Sequence, residues 1–187
     1  MPIAFKQAPE LITSQWFNTE EPVTLAGLRG RVILIEAFQM LCPGCVSHAL
    51  PQAQTIHKTF KPEDVAVIGL HTVFEHHEAM TPTALEAFLH EYRIDFPVGV
   101  DTPSDPPGVP QTMELYQMQG TPTTILLDRM GRIRKLKFGR ETDLVMGAEI
   151  MSLVMEVAPG NKEVGDEPQP EAKAAAEQCD ENGCRVS

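Results

Sequence analysis

The chain has 187 residues, 42% of them hydrophobic, and a formal net charge of -11 at pH 7. This length suits one ordinary domain with a tail, and the hydrophobic fraction is sufficient for a packed core. The negative charge excludes nucleic acid and anionic membranes as main partners, because both require a basic surface. No apolar run approaches the roughly 18 residues of a membrane span, and the N-terminal residues lack a secretory signal pattern. We therefore expect a cytoplasmic protein, in which stable structural disulfides are rare.

Apolar periodicity and turn residues predict alternating strands and helices along most of the chain. We expect, in chain order, a small hairpin over 11–28, a strand over 31–38, a helix over 46–60 kinked at Pro51, a strand over 65–70, a helix from Pro82 with Thr81 as N-cap, a strand over 95–101 with Pro97 at a sheet edge, a short helix over 113–118, hairpin strands over 123–128 and 133–138, and a final helix over 142–157.

The order strand, helix, strand within about 40 residues is typical of a right-handed parallel crossover. The predicted fold is therefore α/β, with a central mixed sheet flanked by helices, over residues 1–157. From residue 158 the composition changes to Pro, Gly, Glu, Ala and Lys without an apolar period. This predicts a flexible acidic tail over 158–187.

The sequence Cys42-Pro43-Gly44-Cys45 lies between the first core strand and its helix. A cysteine at a helix N-terminus meets unpaired amides and the positive end of the helix dipole, which favour a thiolate. Pro43 suits the first helical position because it has no amide hydrogen to leave unpaired. A second cysteine one turn along is positioned to resolve a mixed disulfide. We therefore predict Cys42 as the exposed nucleophile and Cys45 as the shielded resolving thiol.

Two further features favour redox chemistry at this pair. Glu36 is an acid within an otherwise apolar strand, where burial would raise its pKa and let it exchange a proton with Cys45. The alternative is a paired or solvated carboxylate at the strand end. Thr121-Pro122 precedes another apolar strand, and a cis bond at Pro122 would bring the Thr121 backbone against the dithiol to pair with a substrate chain.

The segment 30–60, with its strand, C-P-G-C and helix, resembles the thioredoxin-fold redoxins, in particular TlpA-like thiol–disulfide oxidoreductases and the related AhpC/TSA group. The stretch 116–128, YQMQGTPTTILLD, resembles the cis-proline loop and outer hairpin of that family. The openings at 8–11 and 25–30 and the insertion over 71–110 also fit, so the resemblance covers about residues 8–157.

This resemblance implies that Cys42 attacks, Cys45 resolves and Pro122 is cis, and Glu36 falls where thioredoxins keep a buried acid. Leu41 stands where relatives usually have tryptophan, so the substrate-facing platform differs. We place Leu41 and Pro43 with Thr121 and Pro122 among the substrate-contacting residues. The Pro-Gly dipeptide matches neither thioredoxin nor disulfide isomerase, so a redox potential cannot be transferred from either.

The predicted function is thiol–disulfide exchange, reducing a disulfide in a protein or small thiol substrate, without a bound cofactor. Its electrons would come from an upstream dithiol protein or glutathione. A peroxiredoxin-like thiol peroxidase is the first alternative, although Ile35 and Gln39 stand where peroxiredoxins place proline and threonine. A non-catalytic thioredoxin-fold binding module is the second. A zinc site would need a further ligand pair, either the two histidines at 76 and 77 or the two cysteines at 179 and 184, and we predict no metal.

The tail contains a second cysteine pair, Cys179 and Cys184. About 22 residues separate it from the final helix, a length that lets it reach Cys42. We consider it a secondary redox pair that shuttles electrons for the first, with incidental thiols or a weak metal-binding end as the alternatives. Three histidines, at 71, 76 and 77, follow the second core strand, and we interpret them as loop residues near the site. His48 is interpreted as a helix-surface residue.

Overall fold

The computed structural model describes residues 5–105 and 108–156, together with the backbone of two short strands near the C-terminus. The strands are β1 (Thr13–Phe17), β2 (Val32–Phe38), β3 (Val65–His71), β4 (Val98–Asp101), β5 (Thr123–Leu127), β6 (Ile133–Phe138), β7 (Glu177–Asp180) and β8 (Gly183–Val186). The α-helices are α1 (Leu50–Thr59), α2 (Pro82–Glu91), α3 (Gln111–Leu115) and α4 (Asp143–Met155), with a π-helical turn at Cys45–Ala49 and a 3-10 turn at Ala26–Leu28.

Six strands form one mixed sheet in the order β1-β4-β3-β2-β5-β6. The central strand β2 runs parallel to β3 and antiparallel to β5. Parallel pairing of β2 with β3 confirms the predicted crossover, and β5 with β6 forms the predicted outer hairpin. The thioredoxin-like α/β fold expected from the sequence is therefore confirmed. Because β2 is an inner strand, the loop that follows it lies near the middle of the sheet, at the C-terminal ends of β2 and β3.

Strand β2 is buried along its whole length because both faces of the sheet are covered. Side chains alternate between the faces, so Val32, Leu34 and Phe38 join one core with α1 and α4. Ile33 and Ile35 join a second core on the opposite face. The only charged residue of the strand, Glu36, has the parity of the first face. It therefore points to the side of the sheet on which α1 and α4 pack.

The N-terminal region differs from the predicted leading hairpin. Strand β1 pairs antiparallel with β4, and the segment that follows β1 contributes only the 3-10 turn. Because β1 takes the outer position, β4 lies inside the sheet and the expectation of Pro97 at an edge is wrong. Pro97 instead precedes β4, where its missing N–H costs no ladder bond, and its carbonyl accepts the Gly69 N–H at 2.9 Å.

The helix after β2 carries a π-helical turn rather than a simple kink at Pro51. Within that turn the Leu50 N–H donates to the Cys45 carbonyl, five residues back. Pro51 has no N–H for the Ser47 carbonyl, and its ring would clash with that oxygen in a regular α-helix. The wider turn accommodates the proline, after which α1 continues regularly to Thr59. Helix α2 begins as predicted, with the Thr81 hydroxyl accepting the Ala84 N–H.

Strands β7 and β8 form a two-stranded antiparallel hairpin within the region predicted as a flexible tail. The remainder of residues 158–187 lies outside the described residues. A short hairpin requires only local pairing, so the missing apolar period did not reveal it. Among the helices that the structure describes, none has the length and apolarity needed to cross a membrane.

Candidate active site

Cys42 lies where the loop after β2 turns into the helix. Its N–H donates to the Gln39 carbonyl at 3.2 Å, and its own carbonyl accepts the Val46 N–H at 3.1 Å. Helical conformation begins at the next residue, Pro43. The Cys45 N–H donates to Cys42 Sγ at 3.3 Å. An amide of the first helical turn therefore faces this half-buried sulfur, a geometry that favours negative charge on it.

Cys45 is fully buried directly behind Cys42, and both thiols are free. Burial raises the pKa of the Cys45 thiol, and the neighbouring Cys42 raises it further. Hydrogen bonds from the Gln39 backbone and the Thr121 side chain act in the opposite direction. The pair thus combines one accessible sulfur with one shielded sulfur that holds its proton strongly.

The loop before β5 packs against the dithiol. The Cys42 thiol donates to the Thr121 carbonyl at 3.6 Å, and the Thr121–Pro122 peptide bond is cis. A Cβ added at Gly44 would meet Pro122 Cδ at 3.4 Å, so the helix start approaches this loop to within the width of one methyl group. The Gly139 N–H donates to the Pro122 carbonyl at 2.8 Å and ties the loop to the end of β6.

Glu36 is 1% exposed and has one hydrogen-bond partner for two carboxyl oxygens. The hydroxyl of Thr124, opposite it on β5, donates to Oε2 at 2.8 Å. Among the described residues, Oε1 has no partner. Burial raises the pKa of Glu36 to about 8, although the Thr124 hydrogen bond lowers it in part. The carboxyl is therefore mainly protonated at neutral pH, and its proton exchange with Cys45 stays a prediction.

Gln39 is a site residue that the sequence analysis did not assign. Its side chain is 1% exposed, and Nε2 lies 3.4 Å from both Thr121 Oγ1 and Glu75 Oε1. Its Oε1 accepts the Phe74 N–H at 3.3 Å. Gln39 therefore links the dithiol loop, the proline loop and the segment after β3. The available signal was a polar residue directly after a fully apolar strand end.

A groove of about 160 Å³ lies between the helical segment that follows Cys45 and the loop after β6. Pro122 and Thr124 line one side, Ser47 and Gln52 line the helix side, and Arg140 lies in the loop that closes it. Because Thr124 also binds Glu36, the groove is separated from the buried carboxyl by one hydroxyl. An extended ligand lying in this groove would therefore contact both the proline loop and the helix start.

The structure brings most of the predicted site residues together around Cys42. Leu41 is 57% exposed beside it, which suits a surface that meets a substrate. His71 was expected in a loop, but it ends β3 and is 1% exposed, against the Phe38 ring. The two histidines at 76 and 77 are exposed, as is His48, whose Nδ1 lies 2.6 Å from Ser47 Oγ.

Cys179 and Cys184 lie in β7 and β8 as register partners. The segment 157–176, which links this pair to α4, lies outside the described residues. Within residues 5–105 and 108–156, no group of three or more His, Cys, Asp or Glu side chains is arranged to hold a metal ion.

A family model described as Redoxin matches residues 5–149. A crystal structure of a thioredoxin-like superfamily protein is 59% identical, with a TM-score of 0.80, covering 83% of this chain and all of that one. A thiol-disulfide isomerase from Corynebacterium glutamicum is 49% identical, with a TM-score of 0.77, covering 80% of this chain and 96% of that one.

The protein DipZ of Mycobacterium bovis is 30% identical over 159 residues, which are 83% of this chain and 22% of DipZ. The chain therefore spans about a fifth of the length of this curated relative. Thiol-disulfide oxidoreductase ResA of Halalkalibacterium halodurans is 24% identical over 72% of this chain and 68% of its own length. Each comparison spans a large part of the region that contains the six-stranded sheet.

Proposed function

This chain belongs to the Redoxin family, and we propose that it is a TlpA-like thiol–disulfide oxidoreductase that works through the Cys42–Cys45 dithiol. Its substrate is a disulfide in a protein or a small thiol compound. The dithiol reduces that disulfide and is itself oxidised to an internal disulfide. The proposal assigns Cys42 as nucleophile, Cys45 as resolving thiol, Glu36 as proton acceptor, and the Thr121–Pro122 loop as the substrate-binding element.

One observation carries this proposal, the unequal environment of the two sulfurs. Cys42 Sγ is accessible and receives the Cys45 N–H at 3.3 Å, whereas Cys45 is fully buried one turn along. The accessible sulfur at a helix start suits the attacking thiolate. The buried sulfur of Cys45 can react only with a mixed disulfide that has already formed on Cys42. This order of events is what a dithiol exchange requires.

The chemistry takes place in two steps that conserve electrons and protons. The Cys42 thiolate attacks one substrate sulfur, breaking the substrate disulfide and releasing its other sulfur as a thiolate that takes up a proton. Cys45 then loses its proton and attacks Cys42 Sγ, which breaks the mixed disulfide and releases the second substrate thiol. The substrate gains two electrons and two protons, and the protein is left with a Cys42–Cys45 disulfide.

Glu36 is suited to take the proton that Cys45 loses. It has the parity of the sheet face on which Cys45 packs, its Oε1 has no partner among the described residues, and its pKa is raised to about 8. A buried thiol with a raised pKa needs a base that accepts a proton near neutral pH. Thr124 connects this carboxyl to the groove, through which the proton can pass to solvent.

The substrate chain is proposed to lie along the proline loop and the adjoining groove. The Thr121 carbonyl lies 3.6 Å from Cys42 Sγ, so a backbone paired with this loop would bring its sulfur to the nucleophile. Exposed Leu41 and Pro43 contact the substrate on the other side of Cys42. Re-reduction requires an upstream dithiol protein or glutathione, and we propose a cytoplasmic setting because it supplies such reductants.

A glutathione redox titration with thiol trapping and peptide mass spectrometry tests the mechanism. The Cys179→Ser/Cys184→Ser variant is used, so that only the proposed pair titrates. We expect Cys42 and Cys45 to oxidise together as one two-electron couple, with a slope of about 30 mV per tenfold change in the equilibrium ratio. Failure to form that internal disulfide would contradict the proposal.

Insulin-disulfide reduction separates this function from its alternatives. In the same background, Cys45→Ser is expected to accumulate a mixed disulfide on Cys42, whereas the matched Cys42→Ser variant forms none. A binding module would leave insulin unreduced in the unmodified protein as well. A peroxidase would consume hydrogen peroxide at least as fast as insulin disulfides, with sulfenic acid trapped at Cys42.

A further inference from the structure

The C-terminal hairpin places the two remaining cysteines opposite each other. Strands β7 and β8 pair antiparallel, and the register sets Cys179 against Cys184. Directly opposed residues of antiparallel strands have Cα atoms roughly 4.5–5.5 Å apart. A disulfide requires a Cα separation of about 4.4–6.8 Å. The backbone register is therefore compatible with a disulfide between these two residues.

We propose that Cys179 and Cys184 form a second, reversible dithiol–disulfide couple that exchanges two electrons with Cys42 and Cys45 of the same chain. This inference rests on the proposed function of the first pair and extends it to an internal relay. The hairpin would then be a redox element built into the chain.

The composition around the second pair favours a reversible role over a structural one. Only four residues lie between the two cysteines, and a cross-link that closes so short a loop stabilises a fold least. Within residues 177–186, Val186 is the only other apolar residue, whereas Glu177 and Asp180 are acidic. A disulfide that closes so short a loop among polar residues has little core to stabilise, which favours a redox role over a structural one.

The covalent length of the chain allows the two pairs to meet. About 23 residues link Glu156, after α4, to Cys179, which corresponds to a maximum span of roughly 75 Å. A domain of about 150 residues has a radius of gyration near 15 Å. The linkage therefore exceeds the distance needed, and tethering supplies an effective concentration on the order of millimolar.

The relay step conserves atoms and electrons. A thiolate of the reduced second pair attacks Cys42 Sγ, breaks the Cys42–Cys45 disulfide and releases Cys45, which takes up a proton. The other thiol of the pair then loses its proton and attacks the bound partner sulfur, releasing Cys42. The first pair ends as a dithiol and the second as a disulfide, so two electrons and two protons have moved. An external dithiol protein or glutathione restores the second pair.

Trapping in full-length Cys45→Ser/Cys184→Ser and Cys45→Ser/Cys179→Ser proteins tests the relay, because neither pair then keeps a second thiol that could break a mixed disulfide between Cys42 and the remaining tail cysteine. Each protein is oxidised with glutathione disulfide, alkylated with N-ethylmaleimide and digested with trypsin. We expect a disulfide-linked pair of peptides spanning 32–58 and 174–185, absent after reduction. Its yield should not change on tenfold dilution, because the reaction is intramolecular. The Cys45→Ser/Cys179→Ser/Cys184→Ser protein is the matched control and should lack it.

The relay is overturned if the linked peptides are absent, or if their yield falls in proportion to dilution. It is also overturned if Cys179 and Cys184 in the full chain never form a disulfide and instead hold added zinc. The Cys179→Ser/Cys184→Ser protein separates the two proposals. If it reduces insulin while no link forms in either trapping variant, only the relay fails. If it cannot form the Cys42–Cys45 disulfide, the proposed function fails as well.

Discussion

At the sheet end that carries the dithiol, Glu36 and His71 each hold a buried polar atom without a hydrogen-bond partner among the described residues. At the opposite end, Asp128 follows β5 and is bonded through both carboxyl oxygens. Its Oδ1 accepts the N–H groups of Met130 and Arg132, and its Oδ2 accepts Arg132 Nε at 2.7 Å. Asp101, also at the dithiol end, has partners for both of its carboxyl oxygens, so the contrast is between Glu36 and His71 on one side and Asp128 on the other.

The pKa shifts follow this difference. Burial raises the pKa of Glu36 to about 8 and lowers that of His71 to about 4. Burial also raises the pKa of Asp128, but its hydrogen bonds and the Arg132 charge outweigh this and leave it lowered. A carboxyl with complete bonding holds a turn in place, whereas one with incomplete bonding remains free to exchange a proton. Four variants test this contrast.

Glu36→Gln is expected to have the largest effect. The amide keeps the shape of the neutral acid but cannot accept a proton, so release of product from the mixed disulfide should slow roughly 10²-fold. The rise of this rate with pH, centred near 8, should disappear. Single-turnover kinetics between pH 6 and 9.5 measure both. Thr124→Val is the matched control. It removes the hydrogen bond that lowers the pKa of Glu36, so the pH midpoint of the rate should move upward while the carboxyl itself is kept.

Glu36→Gln also changes stability in a known direction. The pKa of Glu36 is raised in the folded state. Its favourable contribution to the free energy of unfolding is therefore complete below pH 4.5 and is lost as pH rises to about 8. Between these limits the unmodified protein should lose roughly 5 kcal/mol relative to the variant. Urea unfolding at pH 4.5 and 8.5 measures this difference. If the free energy of unfolding changed with pH by the same amount in both proteins, the assignment of a buried, protonated carboxyl would be contradicted.

His71→Leu should produce the next largest effect, at acid pH. The pKa of His71 is lowered from 6.5 to about 4, so the unfolded chain binds a proton that the fold excludes. As pH falls from 6.5 to 4, the unmodified protein should lose about 3 kcal/mol relative to the variant. Urea unfolding at both pH values measures it. Equal losses in the two proteins would show that His71 titrates normally.

Asp128→Asn should destabilise the fold without changing exchange. Losing charged hydrogen bonds to Arg132 should cost about 2 kcal/mol at pH 7. The pKa of Asp128 is lowered, so the difference should shrink as pH falls through 3.8 and below. Denaturant unfolding and the insulin assay together measure the two properties. A loss of exchange rate in protein that remains folded would erase the contrast between the two ends.

Gln39→Met is expected to have the smallest effect. It keeps the side-chain volume but removes the contacts to Thr121 and the Phe74 N–H, which should cost about 1 kcal/mol of stability. Resolution of the mixed disulfide should slow roughly threefold, since the Thr121 hydroxyl near Cys45 loses its neighbour. Glu75→Gln, which keeps the amide network, is the control. Equal rates in both variants would remove Gln39 from the site.

Local sequence signals predicted the core of this fold and most of the residues around the dithiol. The apolar run 31–38, the C-P-G-C turn and the Thr81–Pro82 helix start depend on neighbouring residues alone. The pairing of β1 with β4 depends on residues about 85 positions apart. No local pattern reports such pairing, so a leading hairpin was expected where an outer strand forms.

The sequence by itself determined that two cysteines would share a helix start and that an acid would sit inside an apolar strand. Only the tertiary structure decided that Thr124 bonds one oxygen of Glu36 and that the other has no partner in the part of the chain that the structure describes. It also decided that Gln39 bridges three loops and that His71 is buried. Spacing along the chain fixes which residues a turn brings together. Hydrogen-bond partners and burial depend on strands packed from distant segments, and these set the proton affinity of the site.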